Sequence, residues 1–277
     1  MQAVKAILMH NRKKCQPNIW LLSGTGEGPY LANALLQKGW KVSVSVVSCQ
    51  ASLAYKGIPL EQLYVGALNG VEGICTVIND SNKNNRGFDY IIDATHPFAT
   101  SITSNLKIAC ERLGQSFIRY ERSIEEINEA RLIKSLKELE SIDLSGQKIL
   151  LAIGSRFLPE AVHSLKIAGA KVFARVLPTV DGLTKAFASE ISQENIAVVR
   201  PSSGGKNGFI ERSICRKWGI SGVVTRESGG LNQKTWHQIC KLENLDLWLI
   251  KRPLLPSGIE TIFTVNELIK RIEFKIL

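Results

Sequence analysis

The chain has 277 residues, 44% of them hydrophobic, enough for one large domain or two small ones with a sizeable core. Thirty-five lysines and arginines against 25 acidic residues leave a net charge of +10, which points to an anionic partner. No apolar run is long enough to span a bilayer. No two of the six cysteines form a C-x-x-C pair, and the four histidines are scattered, so neither a disulfide framework nor a structural metal is expected.

Residues 1–17 read as a basic extension (Lys5, Arg12, Lys13, Lys14) that lacks the long apolar segment of a secretory signal. Free thiols without such a signal fit a reducing cytoplasm. Ile19–Leu22 reads as a strand. Ser23-Gly-Thr-Gly-Glu-Gly28 follows it, and then Tyr30–Leu36, whose apolar spacing is helical. Strand, glycine loop and helix make a place where backbone amides can approach a phosphate. The spacing is G-x-G-x-G, not the full G-x-G-x-x-G, so anion binding and a plain tight turn both stay open. Gly24, Thr25, Glu27 and Gly28 are the candidate phosphate or ribose contacts.

Val42–Val47 is the second strand, and it ends in Ser48-Cys-Gln50. An NAD site usually has Asp or Glu there to hold the ribose hydroxyl. Its absence favours NADPH over NADH, with Ser48 as a contact and Lys56 as an available counter-charge. Leu63–Val65 is a short third strand, Leu68–Ile78 a helix and Asp80–Gly87 a polar surface loop. Asp89–Asp93 is a fourth strand that runs into Ala94-Thr-His-Pro-Phe98. Thr95 can cap the next helix and Pro97 suits its first turn. That helix, Ala99–Leu113, stops at Gly114, and Ser116–Tyr120 is a fifth strand before Glu121-Arg122. Chemistry in parallel sheets gathers past the carboxyl ends of strands. His96 sits there and titrates near neutral pH, so it is the candidate catalytic group, as proton donor or substrate orienter. The plainer alternative is a ring that braces the turn.

Ser123–Ser145 is charged and reads as a link plus a solvated helix. A second alternation of strands and helices follows, with strands at Lys148–Ile153, Lys171–Val176, Ile196–Val199, Gly222–Thr225 and Leu245–Ile250. The last helix is Val265–Lys275. The expected architecture is α/β: two Rossmann-like domains, 18–123 and 124–277, each a mainly parallel sheet flanked by helices, with an interdomain cleft.

Several motifs in this order resemble the precorrin-6A reductase family of cobalamin biosynthesis. The most specific is Asp93-Ala-Thr-His-Pro-Phe-Ala99. Around it stand Gly24-Thr25, Glu27-Gly28, Tyr120-Glu121-Arg122, Ile153-Gly-Ser-Arg156, Ala174-Arg-Val-Leu-Pro178, Ser228-Gly-Gly230 and Arg252-Pro253. The resemblance implies NAD(P)H-dependent reduction of one carbon–carbon double bond of precorrin-6A, or of its cobalt-bearing form, to the 6B form. It also implies a cofactor near the cleft. Such a substrate is a polycarboxylate tetrapyrrole, which suits a basic protein. Its candidate contacts are Asp93, His96, Pro97, Phe98, Arg122, Arg156, Arg175, Arg226 and Arg252; for each arginine a surface salt bridge is the alternative. Thr95, Ser228, Gly229 and Gly230 join the cofactor candidates. The chain departs from the family at Arg226-Glu227, where Lys-Asp or Lys-Asn is usual, at Pro201–Gly205, and at Pro29. A monomer or small homo-oligomer is expected, without membrane or nucleic-acid partners. Two other classes stay open: an S-adenosylmethionine-dependent methyltransferase, which would want an acid after the second strand, and a non-catalytic anion- or nucleic-acid-binding protein.

Overall fold

The computed structural model describes residues 16–83, 87–124, 129–200 and 208–276. Most of the basic extension, part of the polar loop at 80–87, part of the charged link and the 201–205 turn lie outside the described residues. The chain forms two compact units, one of Met1–Arg122 with Pro253–Leu277 and one of Ser123–Arg252.

The first unit is built on strands β1 (Asn18–Ser23), β2 (Lys41–Val46), β3 (Gln62–Val65), β4 (Tyr90–Ala94) and β5 (Phe117–Tyr120). Ile19, Trp20 and Leu21 have no exposed surface, because helices cover both faces of a parallel sheet and its strands become continuous apolar runs. The Val/Ser alternation of β2 does not mark a wet face. Ser43 and Ser45 are buried too, and Ser45 Oγ accepts the Trp20 indole N–H at 2.8 Å. The helices are α1 (Gly28–Leu36), α2 (Gly70–Lys83) and α3 (Thr100–Leu113), the last closed by Gly114 at φ 63.

Two expectations change here. Helix α2 takes in Asp80–Lys83, which sequence placed in a loop; Lys83 lies in its last turn and pairs with Asp80 at 3.4 Å, both favourable to continuation. Thr95 and Pro97 do not start α3, whose N-cap position is Ala99. Thr95 turns back onto Asp93 instead.

The second unit holds β6 (Arg131–Ile133), β7 (Lys148–Leu151), β8 (Lys171–Val176), β9 (Ile196–Val198), β10 (Gly222–Arg226) and β11 (Asp246–Ile250). Its helices are α4 (Leu158–Ile167), α5 (Val180–Phe187), α6 (Phe209–Trp218) and α7 (Gly230–Glu243). Strand β6 and a 3-10 segment, Leu136–Ser141, occupy the stretch read as link and solvated helix; Leu136 and Leu139 are buried in the core.

The chain then returns. Strand β12 (Thr261–Ile262) pairs with β5, and α8 (Val265–Ile276) buries Leu268 and Ile272 in the core of the first unit. The tail from Pro253 onward therefore belongs with the first unit, unlike the expected 124–277 domain. The first sheet runs β3-β2-β1-β4-β5-β12 and the second β9-β8-β7-β10-β11-β6, with every pair parallel. Both follow the doubly wound order, in which the connections reverse between the two central strands. The first sheet fills its sixth place with a strand from outside the run that builds its other five, whereas the second is built from six consecutive strands.

Candidate active site

In the first sheet the reversal lies between β1 and β4, where Ser23 stands opposite Ala94. The loops after these strands carry the glycines and His96. Asp93 is fully buried and meets the buried Arg119 guanidinium at 2.8 Å. Its other contacts set the bend. Oδ1 accepts the Thr95 amide at 2.9 Å and the Thr95 hydroxyl at 2.7 Å, and Oδ2 accepts the Thr103 hydroxyl at 2.6 Å. Arg119 donates onward to the Thr95 carbonyl at 3.0 Å and pairs with Glu121 at 2.9 Å. A buried cation between two buried carboxylates, with its donors used, is the arrangement that makes such charges tolerable. Asp93 fixes the corner through the Thr95 backbone amide.

His96 is half-buried, and its Nδ1 accepts the Phe98 amide at 3.2 Å. That bond leaves the imidazole proton on Nε2. Phe98 is buried and its ring lies 5.8 Å from that of His96, centroid to centroid. Arg122, after β5, reaches across to Glu27 at the start of α1, Nε to Oε2 at 2.6 Å. Two candidates assigned to different ligands are thus one ion pair.

The glycines differ from one another. A Cβ on Gly24 or Gly26 would meet nothing within 4 Å, whereas one on Gly28 would lie 1.9 Å from Ser23 Oγ and 2.0 Å from Tyr55 Oη. Gly28 is needed for packing; Gly24 and Gly26 leave the loop open to a ligand. No side chain caps α1, and Thr25 Oγ1 is buried without a hydrogen-bond partner. An open glycine loop and an orphaned hydroxyl at a helix start fit a nucleotide phosphate, although the Gly28 amide already donates to the Thr25 carbonyl at 3.2 Å and Pro29 has none. Ser48 is exposed, and its hydroxyl caps a helical turn, Cys49–Ser52, by accepting the Ala51 amide at 3.2 Å.

The second unit has its own polar cavity, about 350 Å³, at the matching reversal between β7 and β10. Arg156, Arg175 and Arg226 all line it. The guanidinium carbons of Arg156 and Arg226 lie 4.8 and 5.7 Å from the Phe157 ring centroid. Burial, and then the neighbouring Arg156 cation, push the Arg226 pKa down to about 10. Arg175 is buried, 3.6 Å from Glu211, and burial lowers its pKa too.

Ser228, Gly229 and Gly230 follow β10 at the start of α7. The Gly229 amide is already taken by Gln233 Oε1 at 2.7 Å, and its φ of 65 with ψ −179 is open essentially to glycine alone. Arg252 does not line the cavity. Its backbone amide donates to Glu227 Oε2 at 2.9 Å and its Nε to the Glu227 carbonyl at 3.1 Å, which braces the loop after β10.

The structure therefore gathers Gly24, Thr25, Glu27, Gly28, Asp93, Thr95, His96, Pro97, Phe98 and Arg122 around the first reversal. It gathers Arg156, Arg175 and Arg226 around the second. Sequence reasoning missed Arg119, Thr103, Tyr55 and Glu211. For Arg119 a signal existed: a lone cation inside the apolar run Phe117-Ile-Arg-Tyr120.

Two parallel doubly wound sheets, each with polar loops at its reversal, define a two-unit Rossmann-like α/β protein. The family described as Precorrin-6x reductase CbiJ/CobK matches residues 18–273, and the chain belongs to it. A cobalt-precorrin-6A reductase of Synechocystis sp. is 28% identical over 251 residues, spanning 87% of this chain and 90% of its own length. A precorrin-6A reductase of Mycobacterium tuberculosis is 25% identical over 254 residues, spanning 90% of this chain and 94% of its own. A solved structure, CobK precorrin-6A reductase, superposes with a TM-score of 0.69 over 94% of this chain and 97% of its own; at 19% identity it shows the shared fold.

Proposed function

We propose that the chain is an oxidoreductase of cobalamin biosynthesis acting on a CH–CH group. It reduces one carbon–carbon double bond of precorrin-6A, or of its cobalt-bearing form, to the 6B form with a nicotinamide cofactor. The observation that carries this reading is the family match, which runs through both sheets and both reversals.

When bound, a dihydronicotinamide supplies the hydride. The residues fitted to hold it are Gly24 and Thr25 with the start of α1, supported by Glu27, Ser48 and Thr95 in the same unit. We favour NADPH over NADH, because Ser48 stands where an acid would bind an unphosphorylated ribose. The arginines hold the carboxylate arms of the substrate, with Asp93, Pro97 and Phe98 shaping the corner. His96, whose Nδ1 accepts the Phe98 amide, keeps its proton at Nε2 and uses that N–H to orient the substrate. The five described cysteines are free, which supports a reducing cytoplasm. No helix among the described residues is long and apolar enough to cross a membrane.

Anaerobic incubation with each macrocycle form and each nicotinamide tests the reading. Loss of reduced-cofactor absorbance together with the product spectrum is the expected result. Stable absorbance in every combination would reject it.

A further inference from the structure

Arg175 projects from β8, is 7% exposed and lines the cavity of the second unit. Its Nε and Nη2 are both buried and neither makes a hydrogen bond. The Glu211 carboxylate is 3.6 Å from Nη2, close enough to compensate charge but too far for a hydrogen bond. Buried charged donors left without acceptors are costly, and Arg175 leaves two. These two atoms are no random pair. They form the side edge of the guanidinium, whose parallel N–H groups match two oxygens of one carboxylate or phosphate.

We propose that Arg175 is the oxyanion-selecting residue of this cavity: a compact oxyanion takes its Nε–Nη2 edge and replaces the long contact with Glu211. The rest of the lining agrees. Arg156 and Arg226 add positive charge at the same cavity, and the carboxylate that also lines it, Asp181, is engaged by Lys185 at 2.8 Å. At about 350 Å³ the cavity has room for a phosphate or a short carboxylate arm. The inference rests on the reductase reading only for the two sources of that oxyanion: dinucleotide phosphates and macrocycle carboxylates.

Calorimetric titration of the full chain with inorganic pyrophosphate, with succinate and with chloride tests it. Saturable binding of an oxyanion, with chloride much weaker, is expected. Arg175→Lys keeps the charge but removes the fork, and should weaken that binding by about tenfold or more. Glu211→Gln removes the competing carboxylate and should strengthen it by roughly threefold or more. Tighter pyrophosphate assigns the site to the cofactor, and tighter succinate to the substrate arms. Equal affinity in the parent and Arg175→Lys, or chloride binding as well as the oxyanions, overturns the proposal. Should Arg175→Lys fail to fold, Glu211→Gln decides alone, and unchanged or weaker binding there overturns it. These readouts are separate from turnover. A chain that reduces its macrocycle yet binds no oxyanion through Arg175 loses this inference and keeps the reductase reading. A chain that binds oxyanions but oxidises no cofactor does the reverse.

Discussion

His96 is tied to the Phe98 amide through Nδ1, and that bond separates its bracing from its chemistry. An asparagine at this position can present its side-chain oxygen near the old Nδ1 and keep the amide satisfied, but it lacks the imidazole Nε2–H that orients the substrate. His96→Asn should therefore fold with unchanged melting temperature and lose about 10²–10⁴ in turnover. Unchanged turnover in an anaerobic assay would reduce His96 to a brace. Arg226 gives a second residue-scale prediction. Its pKa is pushed down to about 10 by burial and by Arg156, from an ordinary 12.5. Below pH 10 the group is charged in both folded and unfolded chains, so the folded state carries the full penalty; the penalty fades as pH rises through the folded value. At neutral pH, Arg226→Met should thus raise stability, by on the order of 1 kcal/mol, while weakening anion affinity. Chemical denaturation compared with anion titration would show both, and a loss of stability would contradict the argument. His96 was legible in the sequence because a titratable residue at the end of an apolar strand is conspicuous. Arg119 left only the weak signal of a lone cation in an apolar run, because a lone arginine also reads as exposed. Only the pairing of β4 with β5 sets it against Asp93.

At the scale of elements, the glycine loop joins two kinds of glycine that sequence cannot tell apart. Gly24 has open space where a Cβ would go, so Gly24→Val should leave the melting temperature near that of the parent and raise the Michaelis constant for the cofactor. Gly28→Ala places a methyl group against Ser23 and Tyr55 and should cost about 1–3 kcal/mol of stability. If Gly24→Val changes stability alone, the loop is structural. The parallel strands β4 and β5 and the corner after β4 also stand or fall together. Arg119→Met takes the cation from the buried Asp93 and Glu121, and should destabilise the protein by about 3–5 kcal/mol in urea unfolding. Long strands and helices were readable from periodicity. Strands β6 and β12 were not, since pairings of three and two residues are set by their neighbours and not by their own sequence.

Across the whole molecule the chain crosses between its units twice, after Arg122 and after Arg252, and the first sheet takes its sixth strand from the returning tail. Alternation along the sequence suggested two consecutive domains, because nothing local marks a tail that turns back. The consequence can be tested by ending the chain at Arg252. The first unit would then lose β12 and α8. Leu268 and Ile272, both fully buried, are worth about 1.5–3 kcal/mol each. The Arg119 and Glu121 amides would lose their acceptors, the Glu260 and Ile262 carbonyls, beside the buried charges of the corner. Such losses approach the whole stability of a domain, about 5–15 kcal/mol. The second unit, Ser123–Arg252, would lose no residue. Tryptophans report on each unit separately: Trp20 and Trp40 belong to the first, Trp218, Trp236 and Trp248 to the second. In the shortened chain the indole resonances of Trp20 and Trp40 should collapse to unfolded positions while the other three stay dispersed. Were 124–277 a self-contained domain, the cut would instead disturb the second set and spare the first.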